Sequence, residues 1–316
     1  MIEWYYKSIN PMSVVQYKKY IWLVDTIRSA GHISKSEIDR KWYNSSINEN
    51  HEPNIPDSTF YRNIKDIQSF FDIEIKCDRS TGKYYIDYSD LNSQTKQWLL
   101  SQFAVSQSLD TSRELRNRIL YEPIPEGTEY LTTIVNAMRD SQWLHITHQR
   151  FDSDAPHVFY LAPFCLKVFK QRWYIFGVKC ELDEPLVVNP SSVTRIYALD
   201  RIKSLVPSEM SFKMPKKFDA PTYFSRFYGV FCGDQYKPEI IRARFSENAA
   251  PFVRTLPLHY SQREVEPCVF EWHVAPTLDF IQQLRTQGSE IEILAPKSLR
   301  EKFAEEAQNI LNLYKK

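Results

Sequence analysis

The hydrophobic positions at the start of the chain predict two helices and a loop. One helical stripe over about residues 15–30 consists of Tyr17, Tyr20, Ile21, Val24 and Ile27. Gly31 follows that stripe as a C-terminal cap. The run Ser34-Lys35-Ser36-Glu37 matches a capping box, which begins a second helix over about residues 34–45. The polar stretch NSSINENHEPNIP, with its two prolines, is a predicted loop.

The next stretch, PDSTFYRNIKDIQSFFDI, predicts a third helix with two contrasting faces. Its apolar stripe consists of Phe60, Ile64, Ile67 and Phe71. The opposite arc carries small hydroxyls and cations, which suit the DNA major groove because Arg and Lys reach phosphates or guanine edges. The DNA-binding residues predicted from this face are Ser58, Thr59, Tyr61, Arg62 and Lys65.

A β-hairpin follows the third helix, since DIEIKCD alternates, RSTGK turns and YYIDY returns. Arg79 and Lys83 lie at its tip and complete the predicted DNA-binding set. Three helices and a basic hairpin predict a winged helix-turn-helix. The alternative is a helix and hairpin that never contact DNA. Residues 58–88 hold five cations and five anions, so we expect modest non-specific affinity.

The middle of the chain changes from a helical to a strand period. Residues 94–120 and about 128–140 are predicted helices, which either connect the flanking modules or pair two subunits. From residue 143 onward, apolar residues recur at every second position, as in a β-strand. Five short strands, WLHITHQRF, HVFYLAPFCLKVF, RWYIFGVKC, PLVVN and TRIYALDRI, predict a small curled barrel.

Several motifs in this strand region resemble the WYL domain family. Trp173-Tyr174-Ile175 is similar to the family's signature, with Ile in place of Leu, and Arg172 precedes it as the family's basic residue does. Ile146-Thr147-His148 resembles the family's Ile-x-Tyr, Pro163 its strand-start proline, and residues 195–202, RIYALDRI, its Arg-x-Phe-x-Leu-Asp-Arg-Ile run. The resemblance covers residues 143–206, and the order of elements over the whole chain is that of WYL transcription regulators.

The resemblance implies an SH3- or Sm-like barrel whose basic pocket senses a nucleic-acid-derived or other anionic ligand. The family's pocket residues correspond to Tyr174, Arg195 and Arg201. His148 departs from the family's Tyr, although an imidazole can also donate a hydrogen bond and could make binding depend on pH.

The strand period gives an independent interpretation of some of these residues. Arg172 and Tyr174 share one strand face, and Trp173 and Ile175 share the other, which we expect to be core. We include Arg150 and Lys167 in the predicted ligand site. The alternative readings are solvated edge charges for those two cations, a structural role for His148, and surface or paired cations for the arginines.

The last segment predicts a small α/β sandwich after a linker over residues 207–235. The strands IIRARFS, VFEWHVA and EIEILAP and the helices AAPFVRTLP and TLDFIQQLRTQG fit a β-α-β-β-α-β-α order of ferredoxin-like type. A terminal helix is predicted to bury a stripe of Leu299, Phe303, Ile310 and Tyr314. This segment resembles the WCX-type extension that follows many WYL domains.

Composition excludes some classes of protein and names no partner. Hydrophobic residues make up 43% of the 316 residues, which excludes a disordered chain, and the net charge is +1. The five cysteines form no Cys-x-x-Cys pair and no zinc spacing, and we expect reduced thiols. With seven glycines there is no Gly-rich phosphate loop. We therefore expect no catalytic residues, metal or cofactor, and a soluble, cytoplasmic protein without membrane contact.

Together these patterns predict an α+β multidomain regulator of transcription that is not an enzyme. The predicted segments are a winged helix-turn-helix (1–90), a helical linker or dimerisation segment (91–141), a WYL barrel (142–206), a linker (207–235) and an α/β extension (236–316). The predicted partners are a palindromic double-stranded DNA operator, an anionic or nucleic-acid ligand at the barrel, and a second copy of the chain. The alternatives are an adaptor for single-stranded nucleic acid and a nucleic-acid-processing enzyme.

Overall fold

A computed structural model describes residues 14–87, 118, 127–189 and 191–315. Within these residues the chain is a mixed α/β protein with three antiparallel sheets. It divides into two compact units, Met1–Glu122 and Pro123–Lys316. The boundaries of the five predicted segments stay predictions, and the predicted helix over residues 94–120 lies outside the described residues except for residue 118.

Residues 14–87 of the first unit contain the three helices and the hairpin that their sequence pattern predicts, together with a short strand, β1. In chain order these are α1 (Val14–Ala30), β1 (Ile33–Ser34), α2 (Lys35–Tyr43), α3 (Asp57–Phe71), β2 (Ile75–Asp78) and β3 (Lys83–Ile86). The strands form one sheet in the order β1-β3-β2. The assignment of this unit as a winged helix-turn-helix stays a prediction.

Local capping chemistry begins α2 where the sequence predicts it. The Ser34 hydroxyl oxygen accepts from the Glu37 N–H at 3.3 Å, and the Ser34 N–H donates to the Glu37 carboxylate at 2.9 Å. These two bonds complete the capping box. The Ser34 N–H, together with the Ser34 hydroxyl that donates to the same carboxylate at 2.7 Å, holds the pKa of Glu37 below its usual value. Gly31 ends α1 at a φ of 69°, in the left-handed region that glycine adopts without strain.

The core of the first unit forms between α1, α2, α3 and the small sheet. Phe60 and Ile67 of α3 are fully buried, and Ile64 and Phe71 pack against the same core, as the apolar stripe predicts. Trp42 of α2 meets Trp22 of α1 edge to face, with ring centroids 5.2 Å apart. The apolar stripe of α3 therefore packs in the core, and the opposite face of the helix is exposed to solvent.

The first described elements of the second unit are a 3₁₀ turn (Thr128–Tyr130) and α4 (Leu131–Arg139). The strands that follow are β4 (Gln142–His148), β5 (His157–Phe169), β6 (Arg172–Cys180), β7 (Thr194–Ala198) and β8 (Ile202–Ser211). They form one sheet in the order β7-β6-β5-β4-β8, so β7 and β8 are opposite edges. No closed barrel forms among the described residues, and the predicted SH3- or Sm-like barrel is not confirmed.

Two segments of this sheet differ from their predicted structure. The run TRIYALDRI is not one strand, because a 3₁₀ turn (Leu199–Arg201) separates β7 from β8. Residues 185–189, predicted as a strand, form no ladder; the Val187 N–H donates to the Pro185 carbonyl, and Leu186 and Val188 pack against the core. Apolar alternation here reflects packing of an irregular segment rather than strand pairing.

The five-stranded sheet buries both of its faces. Leu144, Ile146 and Ile175 face α4 together with the partly buried Trp173, as the strand period predicts for the last two. The other face carries Phe176, which packs on aromatic side chains of the segment predicted as a linker. That segment contains the short helix α5 (Ala220–Phe224).

The C-terminal part of the second unit follows the predicted β-α-β-β-α-β-α order. Its elements are β9 (Glu239–Phe245), α6 (Ala250–Thr255), β10 (Arg263–Glu266), β11 (Val269–Val274), α7 (Leu278–Arg285), a 3₁₀ turn (Gly288–Glu290), β12 (Ile291–Ala295) and α8 (Lys297–Tyr314). The sheet order is β10-β11-β9-β12. Its description as ferredoxin-like stays a prediction.

The buried stripe predicted for α8 is correct only in its first half. Leu299 is buried and Phe303 packs on the core, but Ile310 is 56% exposed and Tyr314 is 85% exposed. Glu306 pairs with Arg285 of α7, and residues 307–315 are all exposed. The apolar residues of α8 therefore keep their helical spacing beyond the end of the core against which the helix packs.

Candidate nucleic-acid interface and ligand site

The solvent face of α3 carries most of the residues predicted to bind DNA. Ser58, Tyr61, Arg62 and Lys65 are all exposed, because the helical period turns them away from Phe60 and Ile67. Thr59 is half-buried at the edge of this face. We call the four exposed residues the α3 face.

The hairpin of β2 and β3 presents the other two predicted residues. Asp78 shapes its turn by accepting from the Ser80 N–H and hydroxyl and from the Thr81 hydroxyl, at 2.7–2.8 Å. Those bonds, chiefly the Ser80 hydroxyl, lower the pKa of Asp78 to about 2. Arg79 and Lys83 are exposed on either side of the turn.

One hydrogen bond connects the hairpin to the α3 face. The Tyr84 hydroxyl donates to the Tyr61 hydroxyl at 3.3 Å, and burial raises the pKa of Tyr84. The Tyr84 ring also packs edge to face on Phe60, with centroids 4.9 Å apart. The two elements that carry the predicted DNA-binding residues are thus held together by direct contacts.

The cations of the first unit differ in whether a carboxylate pairs with them. Away from the α3 face and the hairpin turn, Arg28 pairs with Asp25 at 2.8 Å, Lys35 with Asp39 at 2.6 Å, and Lys76 with Asp87. The cations predicted to bind DNA have no ion pair with any described residue: Arg62, Lys65, Arg79 and Lys83. Lys19, Arg40 and Lys41 of α1 and α2 are likewise unpaired within the described residues. The four predicted cations are therefore available to an external anion.

In the second unit, Arg201 lies at the centre of the predicted ligand residues. Its Nε–H donates to the Gln149 carbonyl at 3.1 Å, and its guanidinium carbon is 3.9 Å from the centroid of the Phe151 ring. Burial lowers the pKa of Arg201, although the guanidinium stays charged at neutral pH. Arg172 lies nearby and pairs with Asp200 at 2.9 Å.

His148 is buried beside this arginine and differs from it in charge. Burial, reinforced by the charge of Arg201, lowers the pKa of His148 to about 4, so the imidazole is neutral at pH 7. Its Nε2 has no hydrogen-bond partner among the described residues, and neither has the buried Oδ1 of Asp200. Two polar atoms without a described partner thus border the guanidinium groups of Arg172 and Arg201.

Strand register separates Tyr174 from Arg195. Tyr174 of β6 lies opposite Ala198 of β7, whereas Arg195 lies opposite Gly177, three residues along the strand. Because successive side chains point to opposite faces, Tyr174 and Arg195 lie on opposite faces of the sheet. Arg201 follows β7 and is within electrostatic range of both Tyr174 and His148. Arg195 is exposed and donates to the Thr194 carbonyl at 3.2 Å.

The remaining two predicted ligand residues have different surroundings. Arg150 is exposed and pairs with Asp152 at 2.6 Å. Lys167 lies opposite Tyr174 on β5, with its Nζ 4.3 Å from the centroid of the Phe224 ring. Burial lowers the pKa of Lys167. The structure therefore puts Arg201 within electrostatic range of His148, Arg172 and Tyr174. Arg150 and Lys167 lie at the margins, and Arg195 is on the face of β7 opposite Tyr174.

Three groups that contact these residues were not among the ligand-binding residues predicted from sequence. Asp200 lies within the motif RIYALDRI, and its place in that motif could have indicated it. Phe151, 84% exposed beneath Arg201, and the Gln149 carbonyl had no signal, because both act through a loop conformation. No group of three or more His, Cys, Asp and Glu side chains in the described part of the chain could hold a metal ion. In the same part, no helix combines the length and apolar character needed to cross a bilayer.

Comparison with known domain families confirms two of the resemblances. A WYL domain is found at residues 129–207, and a WCX domain is found at residues 237–311. The resemblance to WYL proteins is thus confirmed for these two domains. The N-terminal winged helix-turn-helix and the role as a regulator are proposals.

Comparison with individual proteins adds distant likenesses. Proteasome accessory factor B/C (PafBC) of Arthrobacter aurescens is 17% identical over 57% of this chain and 26% of its own, with a TM-score of 0.26. The chain thus spans about a quarter of that protein. A CRISPR Cas-related protein is 11% identical over 98% of this chain and 88% of its own, with a TM-score of 0.39. At these TM-scores neither likeness carries an argument. No curated protein matches the chain.

Proposed function

We propose that this protein is a DNA-binding regulator of transcription, acting in the cytoplasm as a homodimer, whose WYL domain responds to an anionic ligand. The observation that carries the proposal is the placement of four exposed cations, unpaired within the described residues, on one helix face and the adjoining hairpin: Arg62, Lys65, Arg79 and Lys83. Arg28, Lys35 and Lys76 are paired with carboxylates, whereas Lys19, Arg40 and Lys41 of α1 and α2 are also unpaired. Four such charges on a helix and an adjoining hairpin match the needs of a phosphate backbone.

In this proposal α3 enters the major groove and the hairpin contacts the backbone beside it. Ser58 is small enough to let the helix approach the bases, and Arg62 can donate two hydrogen bonds to a guanine edge. Lys65, Arg79 and Lys83 act as point charges toward phosphates. The Tyr84–Tyr61 hydrogen bond supports one fixed spacing between helix and hairpin, so both contact the same duplex.

A palindromic operator follows from the proposed homodimer. Two copies related by a twofold axis would present two α3 helices to half-sites about one helical turn, roughly 34 Å, apart. The direct test is selection from a random duplex library with the full chain. Enrichment of an inverted repeat supports the proposal, and enrichment of a single half-site contradicts the homodimer.

The ligand proposal rests on the group around Arg201. Arg172 and Arg201 supply charged donors, and neutral His148 can donate through one ring nitrogen. The free Oδ1 of Asp200 is an acceptor, which favours a ligand that also carries a hydroxyl or amino group. A nucleotide or short oligonucleotide combines both features. The exposed Phe151 ring, already stacked by Arg201, could stack a base.

Regulation requires that the ligand prefer one arrangement of the DNA-binding units. A ligand that binds two arrangements with equal affinity does not change their populations, however tightly it binds. We therefore expect operator affinity to change when the ligand is added, and ligand affinity to change by the same factor when the operator is added.

Gel-shift titration of the selected operator tests the DNA-binding face. Arg62→Ala removes an exposed side chain, so it leaves the fold intact and abolishes specific binding. Lys297→Ala is a matched control, because Lys297 is 88% exposed on α8. Unchanged operator affinity in Arg62→Ala would refute the assignment of α3.

Ligand binding is tested separately with a mononucleotide, a short single-stranded oligonucleotide and pyrophosphate as probes. Arg201→Met should weaken binding of the preferred probe at least tenfold, since a charge-assisted hydrogen bond is lost. Arg244→Met is the control, since Arg244 lies on β9 of the C-terminal sheet and pairs with Glu292. Equal affinities in the two variants would refute this site.

Two other functions appear as outcomes of the same tests. An adaptor for single-stranded nucleic acid would enrich no palindrome, yet would bind the single-stranded probe through the WYL domain. We propose no catalytic activity. Hydrolysis of any of the probes in the presence of magnesium, abolished by a substitution in the Arg201 group, would overturn that part of the proposal.

A further inference from the structure

The C-terminal half of α8 carries large apolar side chains that no described part of the chain covers. Ile310 and Tyr314 are joined there by Leu311, which is 44% exposed, and Leu313, which is 67% exposed. Residues 307–315 are all exposed, although they continue the helix for about two and a half turns beyond the core. Helical segments this short are marginal in water unless their apolar face packs against something. This end of α8 therefore lacks a partner for its apolar face among the described residues.

The spacing of the apolar residues is that of a seam between two paired helices. The residues that follow one another at intervals of four, three and four are Phe303, Ala307, Ile310 and Tyr314. This alternation is that of the a and d positions of a coiled coil, and Leu311 and Leu313 take the flanking e and g positions. We call the exposed part of this line the α8 seam: Ala307, Ile310, Leu311, Leu313 and Tyr314.

Polar side chains occupy the opposite side of α8. The residues at the outward b, c and f positions of the same pattern are Glu305, Gln308, Asn309, Asn312 and Lys315. Residues 307–314 contain no charged side chain, so pairing through the seam desolvates no charge there. Glu306, on the seam side, already pairs with Arg285. The seam therefore suits another apolar helix face rather than a nucleic acid or an anionic membrane.

A second copy of α8 fits the seam in charge. In an antiparallel pair centred on Ile310, Lys315 of each copy lies toward Glu305 of the other. A parallel pair would instead bring the two lysines together and the two glutamates together. Opposite charges favour the antiparallel arrangement, because like charges brought together across an interface oppose association.

The size of the seam sets the strength of such a pair. With about 150–250 Å² for each whole side chain, the exposed parts of the four large seam residues amount to roughly 500 Å² per copy. Two copies would bury about 1,000 Å² in total, which is the lower limit for a specific protein–protein interface. We therefore expect a reversible dimer rather than a permanent one.

We propose that two copies of this chain associate through antiparallel pairing of their α8 seams. The inference gives an interface to the homodimer of the proposed function, and its regulatory role rests on that function. The pairing itself needs no DNA, so it can be tested without an operator.

Analytical ultracentrifugation of the full chain without DNA, from about 1 to about 100 μM, measures the association. We expect a monomer–dimer equilibrium with a Kd in the micromolar range. Ile310→Asp and Leu313→Asp each put a charge in the seam and should weaken association at least tenfold. Phe252→Asp is the matched control, because Phe252 is 76% exposed on α6 and lies outside the seam. All three side chains are exposed, so the melting temperature in dilute solution should match that of the unsubstituted protein.

A gain of association tests the helix-pair geometry separately. Ala307→Leu adds apolar surface within the seam and should strengthen association at least fivefold. Asn309→Leu adds the same side chain outside the seam and should leave the Kd unchanged. Equal effects of the two variants would overturn the proposed pairing, because they would show that any added apolar surface promotes association.

The outcomes for this interface and for DNA binding are distinguishable. A dimer that Ile310→Asp weakens, in a protein that selects no operator, supports the inference and refutes the proposed DNA binding alone. The inference is overturned if the chain stays monomeric at every concentration, as expected if another segment or a different protein covers the seam. It is also overturned if the aspartate variants associate as the unsubstituted protein does.

Discussion

Burial of His148 predicts a measurable loss of stability in mild acid. Its pKa falls from the usual 6.5 to about 4 in the folded protein, mainly because burial disfavours the charged imidazole. The unfolded chain therefore binds a proton first as the pH falls. The stability that neutral His148 contributes is complete above pH 6.5 and is lost progressively toward pH 4.

The size of the effect follows from the two pKa values. The full difference is worth about 3 kcal/mol, and about 2 kcal/mol of it is lost between pH 7.5 and pH 5. His148→Phe removes the titrating group and keeps an aromatic ring beside Tyr197, whose centroid lies 5.0 Å from that of His148. Other titrating groups are common to both proteins, so the difference between them isolates His148.

Urea unfolding at pH 7.5 and pH 5, followed by circular dichroism, measures this difference. We expect His148→Phe to lose about 2 kcal/mol less than the unsubstituted protein on acidification. An imidazole titration by NMR should place the His148 midpoint near 4. Equal acid losses in the two proteins, or a midpoint near 6.5, would refute a neutral, buried His148.

Two further predictions concern the scaffold. Gly177→Ala should destabilise the second unit by about 3 kcal/mol, because a Cβ there would lie 2.0 Å from the Ala162 carbonyl oxygen across the β5–β6 ladder. An unchanged melting temperature would show that the two strands are not so close. Ser34→Ala should cost about 1 kcal/mol by removing the cap of α2, as measured by urea unfolding. Exposed Ser69→Ala is its control, and equal losses in the two variants would contradict the capping box.

Local rules explain why the helices and the hairpin of residues 14–87 were predictable from sequence. The capping box requires only residues three apart, and the stripe of Phe60 and Ile67 depends only on the helical period. The hairpin was equally local, because Asp78 and the glycine at position 82, with a φ of 66°, define its turn. Each of these features is decided within a few residues of chain.

Features that depend on tertiary partners were predicted less well. Ile310 and Tyr314 continue the α8 stripe, but no periodicity reveals that the core ends near Glu306. Likewise, the alternation in residues 185–189 is the same whether a segment pairs with a strand or packs beside a sheet. The small curled barrel was inferred from strand spacing alone, and spacing does not decide whether β7 and β8, the edge strands among the described residues, pair with each other.

The candidate ligand site was predicted in part, for a geometric reason. The strand period correctly puts Arg172 and Tyr174 on one face. Whether a β7 side chain lies on the same face as Arg172 and Tyr174 depends on the register between β6 and β7. That register puts Arg195 opposite Gly177 rather than opposite Tyr174. A bulge between Pro163 and Cys165 further changes which β5 residues face the group. Neither the register nor the bulge follows from the composition of the strands.

The salt dependence of operator binding tests the proposed DNA interface most directly. Each phosphate contact contributes about 0.9 to the slope of log affinity against log salt. Replacing Lys65, Arg79 and Lys83 by Gln, with Arg62 kept, should lower the magnitude of the slope by about 3. Replacing the exposed Lys203, Lys213 and Lys216 by Gln changes net charge equally and should leave the slope unchanged. Equal slopes in the two variants would contradict DNA binding through α3 and the hairpin.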